Sequence, residues 1–317
     1  MRKLAVVAIG GNSLIKDPLH QTVEDQESAL RETSCHLADM VEAGWHLVIA
    51  HGNGPQVGFV LRRSEIAARV EGMHEVPLDV CGADTQGAIG YELQQALQNE
   101  LYHRGIKINV ATIITQTLVD RNDPAFKNLS KPIGGFMDEA EARRRQAEMG
   151  WSVVKDAGRG WRRVVASPLP KEIVELDTIV TVVEKGIIVI AAGGGGIPVV
   201  DVGQGEYRGI AAVIDKDFAS SLLAQRIRAD LFLIATAIEK VALNFGAPNQ
   251  TWVDRMTLAQ AREYLSAGTH FAEGSMAPKI RAITWFLESG GKEAIITSPG
   301  SIKRALNRET GTLFTRD

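Results

Sequence analysis

Residues Gly186–Ser221 read GIIVIAAGGGGIPVVDVGQGEYRGIAAVIDKDFASS, and this stretch decides the fold. Ile187–Ala192 is a continuous apolar run rich in β-branched residues. Such a run predicts a strand buried on both faces, as in a parallel sheet. It ends in Gly193-Gly194-Gly195-Gly196, where no Cβ keeps the backbone from a ligand. A polar excursion with Gly203 and Gly205 follows. Asp215-Lys216-Asp217 then opens a helix whose apolar residues are Phe218, Leu222, Leu223 and Ile227. Asp215 suits the N-cap. Lys216 does not suit a helix start, whose partial positive charge disfavours a cation by roughly 0.3–1 kcal/mol. An anion held between that lysine and the glycines resolves the conflict, and phosphate is the obvious one.

The same strand, glycine turn and helix recur towards the N-terminus. Leu4–Ile9 predicts a buried strand and Gly10-Gly11-Asn12 a tight turn. Thr22 caps a helix with the stripe Leu30, Leu37, Met40 and Val41, ended by Gly44. Leu47–Ala50 is the next strand and enters His51-Gly52-Asn53-Gly54-Pro55-Gln56. The helix after it carries Val60, Leu61, Ile66 and Ala67. In a parallel sheet these turns share the edge outside the carboxyl ends of the strands, where ligands bind. His51 reads as local packing or as a ligand contact. Cys81–Leu101 is a long helix with Gly82, Ala83, Gly87, Ala88 and Gly90, which suits a subunit partner and ordinary helix packing equally.

Ile108–Thr115 predicts another strand. From Val119 the pattern changes to turns, a charged helix at Asp138–Met149 and a hairpin around Asp156–Gly160. Residues 119–167 therefore read as an inserted subdomain. After Pro168 and Pro170, a helix over Lys171–Glu184 restores the alternation. Leu231–Ala235 is a strand running into Thr236, and Thr257 or Asp254 begins a short helix. Gly274-Ser275-Met276-Ala277-Pro278-Lys279 opens a helix with Ser275 as N-cap, which makes Lys279 a second cation near a helix start. Ala294–Thr297 is the final core strand.

Composition narrows the function. A net charge of −3 gives no basic footprint for nucleic acid. No apolar run reaches membrane-spanning length. Met1-Arg2-Lys3 leads directly into a core strand, and Gly10-Gly11-Asn12 does not resemble a signal-cleavage site, so a cytoplasmic location is expected. Cys35 and Cys81 make no disulfide framework and read as small buried hydrophobes. The P-loop pattern, the Rossmann spacing, the G-x-S-x-G elbow and metal-ligand spacing of histidines are all missing, so no metal site is expected. Glycine turns, an asparagine in each of the first two, and two lysines at helix starts suit a polyanion. Phosphoryl transfer needs positioning and charge neutralisation more than covalent chemistry. Lys216 and Lys279 can span a donor phosphate and its acceptor, Asp217 can hold both ammonium groups, and glycine-turn N–H groups can bind phosphoryl oxygens.

Six segments resemble the carbamate kinases of the amino acid kinase family: Ala8–Asn12, His51–Gly58, Lys131–Gly134, Ala192–Pro198, Ala212–Asp217 and Gly274–Lys279. The resemblance covers the whole chain. It implies a single amino-acid-kinase-like domain over residues 1–317, an αβα three-layer sandwich around a mostly parallel eight-stranded sheet, with 119–167 as a small protruding subdomain. It implies a homodimer that converts ATP and carbamate to ADP and carbamoyl phosphate, reversibly and with Mg²⁺, in catabolism of arginine or purine nitrogen. By that likeness Lys216, Asp217 and Lys279 are catalytic. Gly10, Gly11, Asn12, Gly52, Asn53, Gly54 and Lys131 hold the acceptor and the transferring phosphoryl. Gly194, Gly195, Thr236, Ala237, Val241, Gly274, Ser275 and Met276 line the nucleotide. Many members of the wider family carry an aspartate after the threonine, where Ala237 stands here. Two other readings fit the same motifs: a kinase of another small carboxylate, and a nucleotide or carbamoyl-phosphate sensor without turnover. The first lacks a charged anchor beside Asn53, and the second is disfavoured by the presence of both lysines.

Overall fold

Alternation of side chains along buried strands sets the architecture of this protein, seen in a computed structural model that describes residues 3–10, 14, 22–156 and 160–317. In β1 (Lys3–Ile9), Ala5, Val7 and Ile9 enter one apolar core while Val6 and Ala8 enter another. The same period of two holds in β2 (Trp45–His51), with Leu47 and Ile49 against Val48. Helix α1 (Val23–Glu42) lies between them and starts at a capping box, Thr22 and Asp25 bonding reciprocally. Helices α2 (Gly54–Glu71) and α3 (Leu78–His103) follow β2. Next come β3 (Val110–Thr112), β4 (Gln116–Val119), β5 (Lys131–Met137), α4 (Glu139–Met149), β6 (Ser152–Asp156), β7 (Gly160–Val165) and β8 (Pro170–Ile173). The chain continues through α5 (Leu176–Glu184), β9 (Ile188–Ile190), β10 (Ile197–Gly203), β11 (Glu206–Gly209), α6 (Lys216–Arg226) and β12 (Leu231–Ala235). It closes with β13 (Val241–Leu243), β14 (Thr251–Val253), β15 (Arg255–Thr257), α7 (Leu258–Ala267), α8 (Met276–Glu288), β16 (Glu293–Thr297), α9 (Ile302–Leu306) and β17 (Thr312–Thr315).

Among the described residues the main sheet has eight strands in the order β15-β17-β16-β12-β1-β2-β9-β3, and only the β16–β17 pair is antiparallel. Leu30, Leu37 and Met40 of α1, Leu93 and Leu97 of α3 and Ile302 of α9 cover the face of Val7. Leu222 and Leu223 of α6, Ile280 and Ile283 of α8 and Ile179 of α5 cover the face of Val6. The result is the three-layer αβα sandwich. Fully burying one such aliphatic side chain contributes roughly 1.5–3 kcal/mol, so the two faces of the sheet dominate the stabilisation.

Outside the sandwich, β5, β7 and β6 form an antiparallel sheet on which α4 packs. A third small core of Val57, Leu61, Cys81, Ile133, Val165 and Val213 joins this unit to α2, to the start of α3 and to the segment before α6. Strands β11, β10, β4 and β8 make a further sheet, and β13 with β14 a hairpin.

Four expectations change. Residues Lys171–Ile173 belong to β8, not to a helix, because β8 pairs antiparallel with β4, and α5 starts only at Leu176. The strand expected over Ile108–Thr115 is only the three residues of β3, and β4, which starts after that span at Gln116, belongs to a different sheet. Ala294–Thr297 is not the last strand: β17 turns back antiparallel beside it. Cys81 is buried as expected, but Cys35 is only half-buried.

Candidate active site

Three adjacent strands deliver their carboxyl ends to one place. The Gly10 N–H donates to the Ala235 carbonyl at 2.9 Å, Gly52 N–H to Ile9 O at 3.0 Å and Thr236 N–H to Thr297 O at 2.8 Å. Gly10, Gly52 and Thr236 therefore stand side by side where β1, β2 and β12 end. Their N–H groups extend the sheet ladder, so the expected donation from Gly10 and Gly52 to a phosphoryl oxygen does not hold. Gly11 and Asn12 lie outside the described residues.

The cations meet on α6 and α8. Asp215 caps α6, its Oδ1 accepting from Asp217 N–H at 2.8 Å. That places Lys216 and Asp217 in the first turn. Asp217 Oδ1 accepts from Lys216 Nζ at 2.5 Å, and Oδ2 from Lys279 Nζ at 2.8 Å. All three side chains are largely buried, with exposures of 4% for Asp217, 12% for Lys216 and 16% for Lys279. Burial by itself would raise the Asp217 pKa, but the two ammonium groups hold it well below the usual carboxylate range. Burial lowers the Lys216 pKa, and Lys279 adds to that against the opposing pull of Asp217. On Lys279 burial also works against the charge, but Asp217 outweighs it and the pKa rises. Two cations on one anion leave an excess positive charge in a poorly solvated place, which an incoming anion relieves.

Lys131, the first residue of β5, reaches the same helix start. Its Nζ lies 2.6 Å from Asp215 Oδ2. Burial would raise the Asp215 pKa, yet Lys131 beside it keeps the carboxyl below its usual value. Asp215 thus joins a cap to an ion pair, a second role that its sequence position did not signal.

Helix starts differ in their capping. Thr22, Asp138, Asp215 and Thr257 each accept a backbone N–H of their own helix. Asn53 and Ser275, at the starts of α2 and α8, make no such bond. The first N–H groups of a helix have no intrahelical acceptor, so those of Gly54 and Gln56 in α2 remain for other acceptors, whereas in α8 the Met276 and Ala277 N–H groups both donate to the Ala272 carbonyl and Pro278 has none. The Asn53 side chain turns instead to α3, where Nδ2 donates to Thr85 Oγ1 at 2.8 Å. Gly54, the first residue of α2, is half-buried beside it.

The four glycines after β9 form a tight 3-10 turn over Gly193–Gly195. A Cβ on Gly193 would lie 2.3 Å from His51 Nε2, and one on Gly194 2.2 Å from Asn53 Nδ2. On Gly195 it would lie 2.4 Å from the Ile214 carbonyl, and on Gly196 2.0 Å from Thr117 Oγ1. Protein neighbours occupy the space that the missing side chains leave, so the turn seats Asn53 against the segment leading into Lys216. His51 is the buried partner of this packing; burial lowers its pKa to about 4, so the ring is neutral. Behind the turn, Thr115 Oγ1 accepts from Ala192 N–H, and Gln86 bonds both the N–H and the carbonyl of Thr115. Sequence reasoning missed Thr85, Gln86 and Thr115. A polar residue inside a helix carries no local signature of what it faces.

On the other side of β12, Ala237 is exposed and Thr236 half-buried. Gly274 and Ser275 are exposed and Met276 half-buried at the start of α8. Val241 departs from expectation. Its side chain is fully buried in the core and its N–H is taken by Thr312 Oγ1 at 2.8 Å, so it presents no side chain to a ligand.

Residues 3–298 match the amino acid kinase family. The chain is 50% identical over 313 residues to the carbamate kinase-like protein YahI of Escherichia coli, covering 98% of each. It is 48% identical over 316 residues to the carbamate kinase of Thermococcus kodakarensis, covering 99% of this chain and 100% of that one. Among solved structures, the carbamate kinase of Giardia lamblia bound to AMP-PNP aligns with a TM-score of 0.90 and 39% identity, over 100% of this chain and 99% of that one.

Proposed function

This chain belongs to the amino acid kinase family, and we infer from that membership and from the charges at α6 and α8 that it is a carbamate kinase, moving a phosphoryl group reversibly between ATP and carbamate. One observation carries the reading: a single buried carboxylate, Asp217, grips both Lys216 and Lys279. Such a pair of fixed ammonium groups stabilises the charge on a transferring phosphoryl group without reorganising at the moment of reaction. Carbamate is already an anionic oxygen nucleophile, so the transfer needs no general base. In the direction of ATP synthesis, Lys216 and Lys279 neutralise the phosphoryl oxygens as the P–O bond of carbamoyl phosphate breaks and the β-phosphate of ADP attacks. Lys131 adds a third cation, delivered by the unit at 119–167, which acts as an inserted subdomain. Gly10, Gly52, Asn53 and Gly54 shape the acceptor side, with α2's first N–H groups as donors. Gly194 acts by seating Asn53, and Gly195 by letting the Ile214 backbone close on the turn.

The nucleotide lies along Thr236, Ala237, Gly274, Ser275 and Met276. Mg²⁺, when bound with the nucleotide, would supply charge screening of the phosphates and would be held chiefly by their oxygens and by water, since both oxygens of Asp217 are already engaged by lysines. The enzyme works as a homodimer in the cytoplasm, in catabolism of arginine or purine nitrogen. Light scattering tests the dimer. The reaction is tested by ATP formation from carbamoyl phosphate, ADP and Mg²⁺, with acetyl phosphate as control donor. Rapid ATP formation selective for the carbamoyl donor is expected. Binding of ADP with no ATP formed from carbamoyl phosphate overturns the assignment of the acceptor.

A further inference from the structure

Thr85 has one hydroxyl hydrogen, and the structure shows where it goes. Thr85 Oγ1 lies 2.7 Å from the carbonyl oxygen of Gly82, which can only accept. The hydrogen is therefore committed to Gly82, and towards Asn53 the hydroxyl can only accept. That forces the Asn53 amide to present Nδ2 to Thr85, at 2.8 Å, and so turns Oδ1 away from Thr85, leaving that oxygen and the second Nδ2 hydrogen as its remaining polar functions. No described residue donates to that oxygen. Thr85 and Asn53 are both buried, at 2% and 5% exposure, so water does not readily scramble the arrangement. Gly194 packs against the same amide. The next helical residue, Gln86, clamps Thr115 and through it the glycine turn, so neighbouring residues of α3 fix both walls of this corner.

From this geometry we propose that Thr85 is the positioning residue that makes the acceptor side selective for a carbamoyl group, by holding Asn53 Oδ1 as a hydrogen-bond acceptor for its NH₂. The proposal rests on the assignment of Asn53 to the acceptor side made above. An acetyl group offers a methyl at that position and a carboxyl group of bicarbonate type offers an oxygen. Neither donates as the NH₂ does, and the second repels the amide oxygen unless protonated. A site built to bond a substrate N–H rejects analogues that lack it, because its own buried polar atom is left unpaired. With the amide reversed, the corner would present N–H to any of these groups and distinguish them poorly.

The experiment compares kcat/KM for carbamoyl phosphate and acetyl phosphate as donors to ADP, in wild type and three Thr85 variants. Thr85→Val removes the acceptor, and Thr85→Ala leaves room for a water that can face either amide atom. In both, the carbamoyl-to-acetyl ratio falls by about tenfold, the discrimination of roughly one hydrogen bond. Thr85→Ser keeps the ratio. Thermal melting identifies any variant that does not fold, and Thr85→Ala serves if the valine is not tolerated. A proportional loss with both donors, leaving the ratio unchanged in valine and alanine variants, would overturn the proposal, since a merely structural residue behaves that way. Asn53→Ala separates the premise from the inference. If it leaves kcat/KM unchanged with both donors, Asn53 is not a substrate residue. If it lowers them while Thr85→Val leaves the ratio intact, only the role of Thr85 is wrong.

Discussion

Lys216 and Lys279 are the residues whose loss should matter most to the rate. Truncating one preorganised charge at a reacting phosphoryl group costs a factor of roughly 10²–10³. Lys216→Ala and Lys279→Ala are therefore each expected to lower kcat for ATP synthesis by about that factor while the circular dichroism spectrum stays that of the wild type. Unchanged turnover in either variant removes that lysine from the mechanism. Asp217 has a different signature. Its charge raises the Lys216 pKa, against burial, which lowers it. Asp217→Asn takes away the raising influence, so Lys216 loses its proton at lower pH. The alkaline limb of the pH–kcat profile should move towards neutrality; a limb that stays put would mean that Lys216 does not set it. The lysines were legible in the sequence because each breaks a rule, a cation at a positive helix end. Thr85 breaks none, and its importance arises only when the fold brings α3 against the start of α2.

Among the elements, α2 has the most to say about how the site is assembled. A Cβ on Gly58 would lie 2.1 Å from Gly134 Cα, so the backbones of α2 and β5 touch. Farther along the helix, Glu65, itself buried, pairs with Arg163 of β7 at 2.6 Å, and Arg163 stacks over Trp151. This joint sets where Lys131, three residues before Gly134, meets Asp215. Gly58→Ala should push β5 outward and lower kcat by about tenfold, a displacement of the kind that costs rate far from the chemistry. In a Lys131→Ala background the same substitution should change kcat little. Equal losses in both backgrounds would show that Gly58 does not act through Lys131. The main strands were readable because a doubly buried parallel strand is one apolar run. The short strands β4 and β8 were not, since four residues give no period, and Pro170 was taken to precede a helix when it opens a strand.

For the molecule as a whole, the buried neutral His51 ties stability to pH. The unfolded chain binds a proton at the ordinary histidine pKa of 6.5, whereas the folded protein resists it down to about 4. Stabilisation is complete above pH 6.5 and is lost as pH falls towards 4, amounting to about 3 kcal/mol. The melting temperature should drop across that window, and less steeply in His51→Gln; parallel curves would place the acid sensitivity elsewhere. The parallel sheet followed from alternating strands and helices and its three layers from the family resemblance, but the corner joining His51, Asn53 and the glycine turn depends on contacts between segments about 140 residues apart, which no local pattern encodes. That corner also fixes how the protein can drift. Each glycine from Gly193 to Gly196 faces a different neighbour at less than contact distance. Repairing one clash by shrinking its neighbour would disturb His51, Asn53, the Ile214 backbone or Thr117, and no single compensating change relieves two. In a selection from fully randomised codons at these four sites, glycine should return at every position, while Gly54 and Gly87, around which a Cβ meets nothing within 4 Å, are free of that steric veto.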